Sequence, residues 1–361
     1  MIRLIHAADF HLDSAFGALP PKQAAARRRE LRELPGRLAD YVNSHGVGLV
    51  LLSGDLFDSA NFYQETVESL AEAFGRMRAK VLIAPGNHDA YGGLWERISW
   101  PENVHIFKES KMTALEIGDL VFHGAAFTSA QQTESLLKGF SVEDDGKLHI
   151  GILHGEVGSG EGRYDPIRTE DIAASGLDYL ALGHTHKRCE PARYGKTLAA
   201  WPGCPEGRGF DELGEKGFYE GTIDETGKIT LEFVPFAKRR YEVVTVDVTG
   251  KNVREAVEEA VGENTESDLY RVILTGETGE GGVDTAALEE VLAPRFYALE
   301  IRDATRMAED IWARAEEDSL RGMFLRELRA KWNGAKTAEE KETVTAAARF
   351  GLAALDHRDL G

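Results

Sequence analysis

The stretch that decides the fold is "VLIAPGNHDA", residues 81–90. Val81 to Ala84 have the run of a buried strand, and Pro85-Gly86 break it. The chain then delivers Asn87, His88 and Asp89 in succession. Groups that bind metals or carry protons therefore stand at the end of a core strand.

The pattern recurs along the chain. "IRLIHAAD" ends at Asp9, "LVLLSGD" at Asp55, "LHIGILHG" near His154, and "LDYLALGHTH" at His184 and His186. Residues from about 22 to 44 and from about 61 to 79 have helix-rich composition, as strands linked by helical crossovers require. An α/β sandwich with layered sheets is expected. In α/β sheets ligand sites form beyond the carboxyl ends of the strands, so "ADFH", "GDLFD", "GNHD", "LHGE" and "GHTH" should converge. Asp9 and His11 are two residues apart, which turns both to one side of an extended backbone, and His184 and His186 share that relation. Gly54, Gly86 and Gly183 precede the polar residues and suit tight turns or close backbone approach.

Composition bounds the rest. With 361 residues, 42% hydrophobic content and 11 prolines, the chain is globular and long enough for two or three domains. The first twenty residues lack the features of a signal peptide, and no apolar stretch approaches the roughly 18 residues of a membrane span. A cytoplasmic location without membrane association is expected. Cys189 and Cys204 are too few for a disulfide framework. A net charge of −19 argues against broad attraction to nucleic acid, yet a local cation site or a basic partner can still bind phosphate. The basic runs "ARRRELR" (26–32) and "AKRRY" (237–241) are either DNA-backbone contacts or a solvated helix face and a linker.

Downstream, "YEVVTVDV", "DLYRVIL" and "FYALEI" read as strands separated by helices near 252–261 and 284–293. The remainder is rich in Ala, Glu, Arg and Leu and reads as helical, with Leu320, Phe324 and Leu328 recurring every four residues as one apolar stripe. That stripe packs either on its own protein or on a partner.

The motif series closely resembles the calcineurin-like metallophosphoesterase superfamily, with its D-x-H, GDxxD, GNH(D/E), H and GHxH elements, over residues 1 to about 235. The resemblance implies a four-layer α/β/β/α sandwich with one metal held by Asp9, His11, Asp55 and His186. A second would be held by Asp55, Asn87, His154 and His184, with Asp55 bridging the two. His88 would face the substrate as a general acid, and Asp58 would accept a hydrogen bond from it. The substrate-binding residues are not identified. Two divalent ions lower the pKa of a shared water and stabilise charge developing at phosphorus. Imidazole, carboxylate and amide donors without thiolate favour manganese, with iron as the other choice.

Within the superfamily, "GDLFDSA" and "GNHDA" depart from phosphoprotein phosphatases, while "ADFHLDS", "APGNHD", "DYLALGHTHK" and "PGCPEGRGFDELGEKGF" resemble SbcD-type DNA repair nucleases of the YhaO-like branch. That resemblance implies a metallophosphoesterase nuclease domain at 1–236, a small α/β capping domain at 237–303, and a helical tail at 304–361 for docking a partner. The implied activity is hydrolysis of DNA phosphodiesters as an exonuclease or endonuclease subunit. The implied partners are DNA and an SbcC-type coiled-coil ATPase, with a homodimer possible. The competing readings are a small-molecule or nucleotide phosphodiesterase, and a non-catalytic subunit that anchors DNA or an ATPase.

Overall fold

The structure, a computed structural model, describes residues 1–59, 62–279, 282–307 and 311–355. Six residues of the tail expectation, 356–361, and three more, 308–310, lie outside the described residues.

Two six-stranded sheets carry the architecture. The first contains β1 (Ile2–Ala7), β2 (Leu49–Leu52), β3 (Lys80–Ile83) and β4 (Val104–Ile106) as parallel neighbours. The second contains β5 (Thr113–Ile117), β6 (Leu120–Gly124), β7 (Leu148–His154), β8 (Tyr179–Gly183), β9 (Cys189–Tyr194) and β10 (Thr197–Trp201), in the order β9-β10-β8-β7-β6-β5. Its four central strands are parallel and its two edges antiparallel. Strands β11 (Gly217–Ile223) and β12 (Ile229–Pro235) complete the first sheet, giving β12-β11-β1-β2-β3-β4, with β11 antiparallel to β1.

Burial on both faces explains the uninterrupted apolar runs that mark these strands. Along β1, Leu4 joins the core between the sheets, where it meets Phe122, Ile150 and Ala181. Its neighbour Ile5 faces the other way, into the core beneath helices α1 (Pro21–Ser44) and α2 (Gln64–Gly75), with Leu34, Leu38, Leu70 and Phe74. On the outer face of the second sheet, Leu153, Leu180 and Trp201 pack with Ile172 of the short helix α3 (Thr169–Ala174). Four layers result, an α/β/β/α sandwich as expected. The polar His6 is buried between the sheets because its Nδ1 lies 2.6 Å from the Tyr179 hydroxyl and its Nε2 2.8 Å from Ser53 Oγ.

One arginine of each basic run is consumed by the fold. Arg27 is fully buried and donates to Glu30 (2.6 Å) and Glu206 (2.9 Å), while Arg239 pairs with Glu30 at 2.6 Å. A buried guanidinium demands such partners, so these two arginines are structural rather than DNA contacts.

A third sheet holds β13 (Tyr241–Asp247), β14 (Leu269–Thr275) and β15 (Ala298–Asp303) in that order, with helices α4 (Val253–Val261) and α5 (Thr285–Leu292) in the intervening chain. By internal contacts the chain divides into two compact units. One comprises residues 1–244, 263–271 and 292–300; the other comprises 245–262, 272–291 and 301–361. Among the described residues no helix is long and apolar enough to cross a membrane.

In the second unit, helix α6 (Leu320–Gly334) is capped by Ser319, whose hydroxyl accepts from Gly322 N, and pairs with helix α7 (Ala338–Leu355). Their shared core is Ile311, Ala315, Leu325, Ala348 and Leu352, with Phe324 and Leu328 packed against it. The stripe of Leu320, Phe324 and Leu328 is thus divided: two of its members serve this core, and only Leu320, 68% exposed, faces solvent. Leu325→Ala is expected to destabilise this unit by about 2–5 kcal/mol, whereas Leu320→Ala should stay within about 0.5 kcal/mol of wild type. Chemical denaturation of the two variants measures the contrast.

Candidate dinuclear metal centre

Every polar cluster singled out in the sequence lies at the carboxyl end of a parallel strand. Asp9 and His11 follow β1, Asp55 follows β2, Asn87 and His88 follow β3, His154 closes β7, and His184 and His186 follow β8. The two sheets bring these ends to one place. The backbone there is unusual: Asp9, His11, Asp55 and His184 adopt positive φ of 55°, 46°, 52° and 86°. Non-glycine residues rarely do this, and such strain gathers at functional sites. Two glycines make room. A Cβ on Gly54, whose φ is 88°, would land on the His154 ring, and a Cβ on Gly86 would land on the Asp55 carboxylate.

Each carboxylate has one oxygen tied down and one aimed inward. Asp9 Oδ1 accepts from His184 N at 3.0 Å, leaving Asp9 Oδ2 buried without a hydrogen-bond partner. Asp55 Oδ1 accepts from His88 N at 2.9 Å, while its Oδ2 lies 3.2 Å from His154 Nε2 and 3.8 Å from His11 Nε2. Asp55 therefore stands between two groups of donors. In one, Asp9, His11 and His186 have ligand atoms within 4.8 Å of one another; in the other, Asp55, His154 and His184 do. Asn87 joins the second group, with its Oδ1 2.9 Å from His154 Nε2 and 3.2 Å from His184 Nδ1.

The imidazoles are oriented for coordination. His154 Nδ1 donates to the Ser53 carbonyl at 2.9 Å, which aims Nε2 at the oxygens of Asp55 and Asn87. Burial works to neutralise His154, but the Asp55 and Asp9 carboxylates outweigh it and hold its pKa up at about 9. For Asp55, burial pushes the pKa up and the His154 and His11 rings overcome it, leaving it well below the carboxylate range. Burial drives His184 down to about 4, with charged His154 adding to the effect. In the first group, His11 Nε2 and His186 Nε2 face each other at 3.0 Å. The orphaned Asp9 oxygen and these opposed nitrogens fit a pair of divalent cations, and the donor set of imidazole, carboxylate and amide suits them.

His88 is exposed, and its Nδ1 donates to a carbonyl at 2.8 Å, which turns Nε2 outward. That carbonyl is the backbone oxygen of Asp58. The expected hydrogen bond to the Asp58 carboxylate is not formed, because Asp58 Oδ1 lies 3.2 Å from His11 Nδ1 and accepts from Arg208 Nη1 at 3.0 Å. A third donor grouping of His11, Asp58 and His88 also falls within 4.8 Å.

Several contributors had been given no role of their own from the sequence. Asp89 is fully buried; its Oδ1 accepts from Gly86 N (2.8 Å) and its Oδ2 from Leu56 N (2.7 Å), locking the Asp55 and Asn87 loops together. Burial and the nearby Asp55 charge push its pKa up to about 7. Glu212 accepts from His186 Nδ1 at 2.8 Å and Arg208 Nη2 at 2.7 Å. The string "PGCPEGRGFDELGEKGF" contains both Arg208 and Glu212, and their charges amid glycines were the available signal. Tyr164, in the glycine-rich segment after His154, places its ring 5.0 Å from that of His184.

A two-sheet sandwich with paired donor groups at its strand ends defines a metallophosphoesterase, and residues 2–188 match the calcineurin-like phosphoesterase family. The chain belongs to that family, which uses a dinuclear divalent metal site. It is similar to an uncharacterized metallophosphoesterase, YhaO, of Bacillus subtilis, at 34% identity over 69% of this chain. It is also similar to the DNA double-strand break repair protein Mre11 of Methanopyrus kandleri, at 24% identity over 72% of this chain. The matches span 64% and 62% of those relatives' own lengths.

Proposed function

We propose that the chain is a metal-dependent phosphodiesterase that hydrolyses DNA, acting as the nuclease subunit of a repair complex. The observation that carries this reading is Asp55, one inward oxygen set between two donor groups, as a bridging ligand requires. In this reading Asp9, His11, Asp55 and His186 hold one ion, and Asp55, Asn87, His154 and His184 hold the other. Manganese is the ion we favour. The pair of ions supplies an activated water and charge stabilisation at phosphorus. The chain's own residues do the rest: His88, exposed beside the His11 ring at 4.8 Å, presents Nε2 to the leaving oxygen as proton donor. Its Nδ1–H bond to the Asp58 carbonyl fixes the ring's direction.

Two observations support DNA over a small phosphodiester. One is the similarity to a protein named for double-strand break repair. The other is the aromatic face that Tyr164 sets against His184, with exposed Arg163 next to Tyr164 in sequence and exposed Lys187 three residues after His184, groups of the kind that hold a nucleotide chain. The second unit, with Leu320, Met323 and Phe350 exposed, is assigned to partner docking in this proposal, a coiled-coil ATPase being the partner. Incubation of the protein with Mn2+ and end-labelled single- and double-stranded DNA, beside bis-p-nitrophenyl phosphate and cyclic nucleotides, tests the reading. DNA cleavage that needs Mn2+ is expected. Turnover of cyclic nucleotides with intact DNA would replace the nuclease by a small-molecule phosphodiesterase.

A further inference from the structure

We infer that Arg208 and Glu212 are positioning residues that clamp His186 from behind, hold the Asp58 carboxylate beside His11, and set the strength of one metal position, that of Asp9, His11 and His186. This rests on the metal reading proposed above. The two imidazoles face each other through Nε2 at 3.0 Å, and each turns its Nδ1 away from that point toward a carboxylate. His186 Nδ1 donates to Glu212 Oε1 at 2.8 Å, whereas His11 Nδ1 lies 3.2 Å from Asp58 Oδ1 without forming a hydrogen bond to it. One guanidinium joins these two carboxylates: Arg208 Nη1 donates to Asp58 Oδ1 at 3.0 Å and Nη2 to Glu212 Oε1 at 2.7 Å.

Glu212 is itself fixed. Its Oε2 accepts from the Arg208 backbone N at 2.8 Å, so the short loop between the two residues closes on its own side chain. It is buried, and the Arg208 side chain is only 17% exposed, which strengthens the electrostatics of the group. A carboxylate behind a ligating histidine fixes its tautomer and raises its basicity, and loss of such a partner typically costs about 10–100-fold in metal affinity. A planar fork suits this task where lysine does not, since only the fork can hold two carboxylates at fixed separation. The second position is built differently: His154 Nδ1 is held by the neutral Ser53 carbonyl. The two positions should therefore respond unequally to changes at Arg208 and Glu212.

The test titrates metal-free protein with Mn2+ by calorimetry, with elemental analysis after desalting and Mn2+ electron paramagnetic resonance. Wild type should bind two ions and give the spectrum of a coupled pair. Glu212→Ala and Arg208→Lys should each weaken one ion by roughly 10–100-fold and leave the other, giving an isolated-ion spectrum at low Mn2+. Glu212→Gln should weaken it less, since its amide oxygen still accepts from His186 Nδ1. Excess Mn2+ should restore turnover in all three, an effect that general loss of folding would not allow. Should Glu212→Ala fail to fold, Glu212→Gln and Arg208→Lys carry the same comparison. Two ions held with wild-type affinity by Arg208→Lys and both Glu212 variants would overturn the clamp while leaving the metal reading intact. A wild type that binds no Mn2+ would overturn both.

Discussion

Asp55→Asn should reduce hydrolysis to background, on the order of 10³-fold or more, without unfolding the chain. The substitution is informative because it preserves one half of the residue. The amide oxygen can still accept from His88 N, the bond that Asp55 Oδ1 makes at 2.9 Å, so the turn is kept. An NH₂ group then replaces Oδ2, the atom that lies 3.2 Å from His154 Nε2 and 3.8 Å from His11 Nε2. It brings donors and no charge to the point both donor groups share, so both metal positions should weaken together. Elemental analysis and the turnover of bis-p-nitrophenyl phosphate in Mn2+ are the measurements. Near-normal turnover would show that Asp55 does not bridge.

His88→Ala should act on rate alone. Loss of a general acid costs on the order of 10²–10⁴-fold. His88 Nδ1 is spent on the Asp58 carbonyl, and its outward Nε2 is available for proton transfer to a leaving group. Two ions should remain after the substitution, with substrate affinity little changed. Loss of one ion would make His88 a ligand, as the grouping with His11 and Asp58 would allow. Asp58→Ala is expected to behave differently from His88→Ala, because the backbone carbonyl that orients His88 survives it. The carboxylate removed is the one beside His11 and Arg208, so metal content rather than proton transfer should change.

The same residues show where sequence reasoning reaches its limit. The "GNHD" and "GHTH" clusters were legible because a strand buried on both faces writes an apolar run, and its end is marked by glycine and polar residues. Asp58 was legible as a site residue, but its direction was not: carbonyl and carboxylate of one residue are equivalent partners on paper, and Arg208, distant in the chain, takes the carboxylate. The apolar spacing of Leu320, Phe324 and Leu328 showed a helical face without saying what covers it. Helix α7 decided that, since Phe324 and Leu328 pack on the core containing Ala348 and Leu352. Similarly, the basic run at 26–32 read either as DNA-backbone contacts or as a solvated helix face, and Arg27 is neither because Glu206 from a remote loop pairs with it.

The sequence by itself determined the layered α/β sandwich and the polar clusters at its strand ends, because hydrophobic periodicity and turn chemistry act over a few residues; which seven of those residues would hold metal is what the family resemblance implies. Only the tertiary structure decided which oxygen of each carboxylate faces inward, that Asp89 locks two loops, and that Arg208 and Glu212 stand behind His186. Those depend on hydrogen bonds between residues far apart in the chain, and such geometry leaves no local pattern to read.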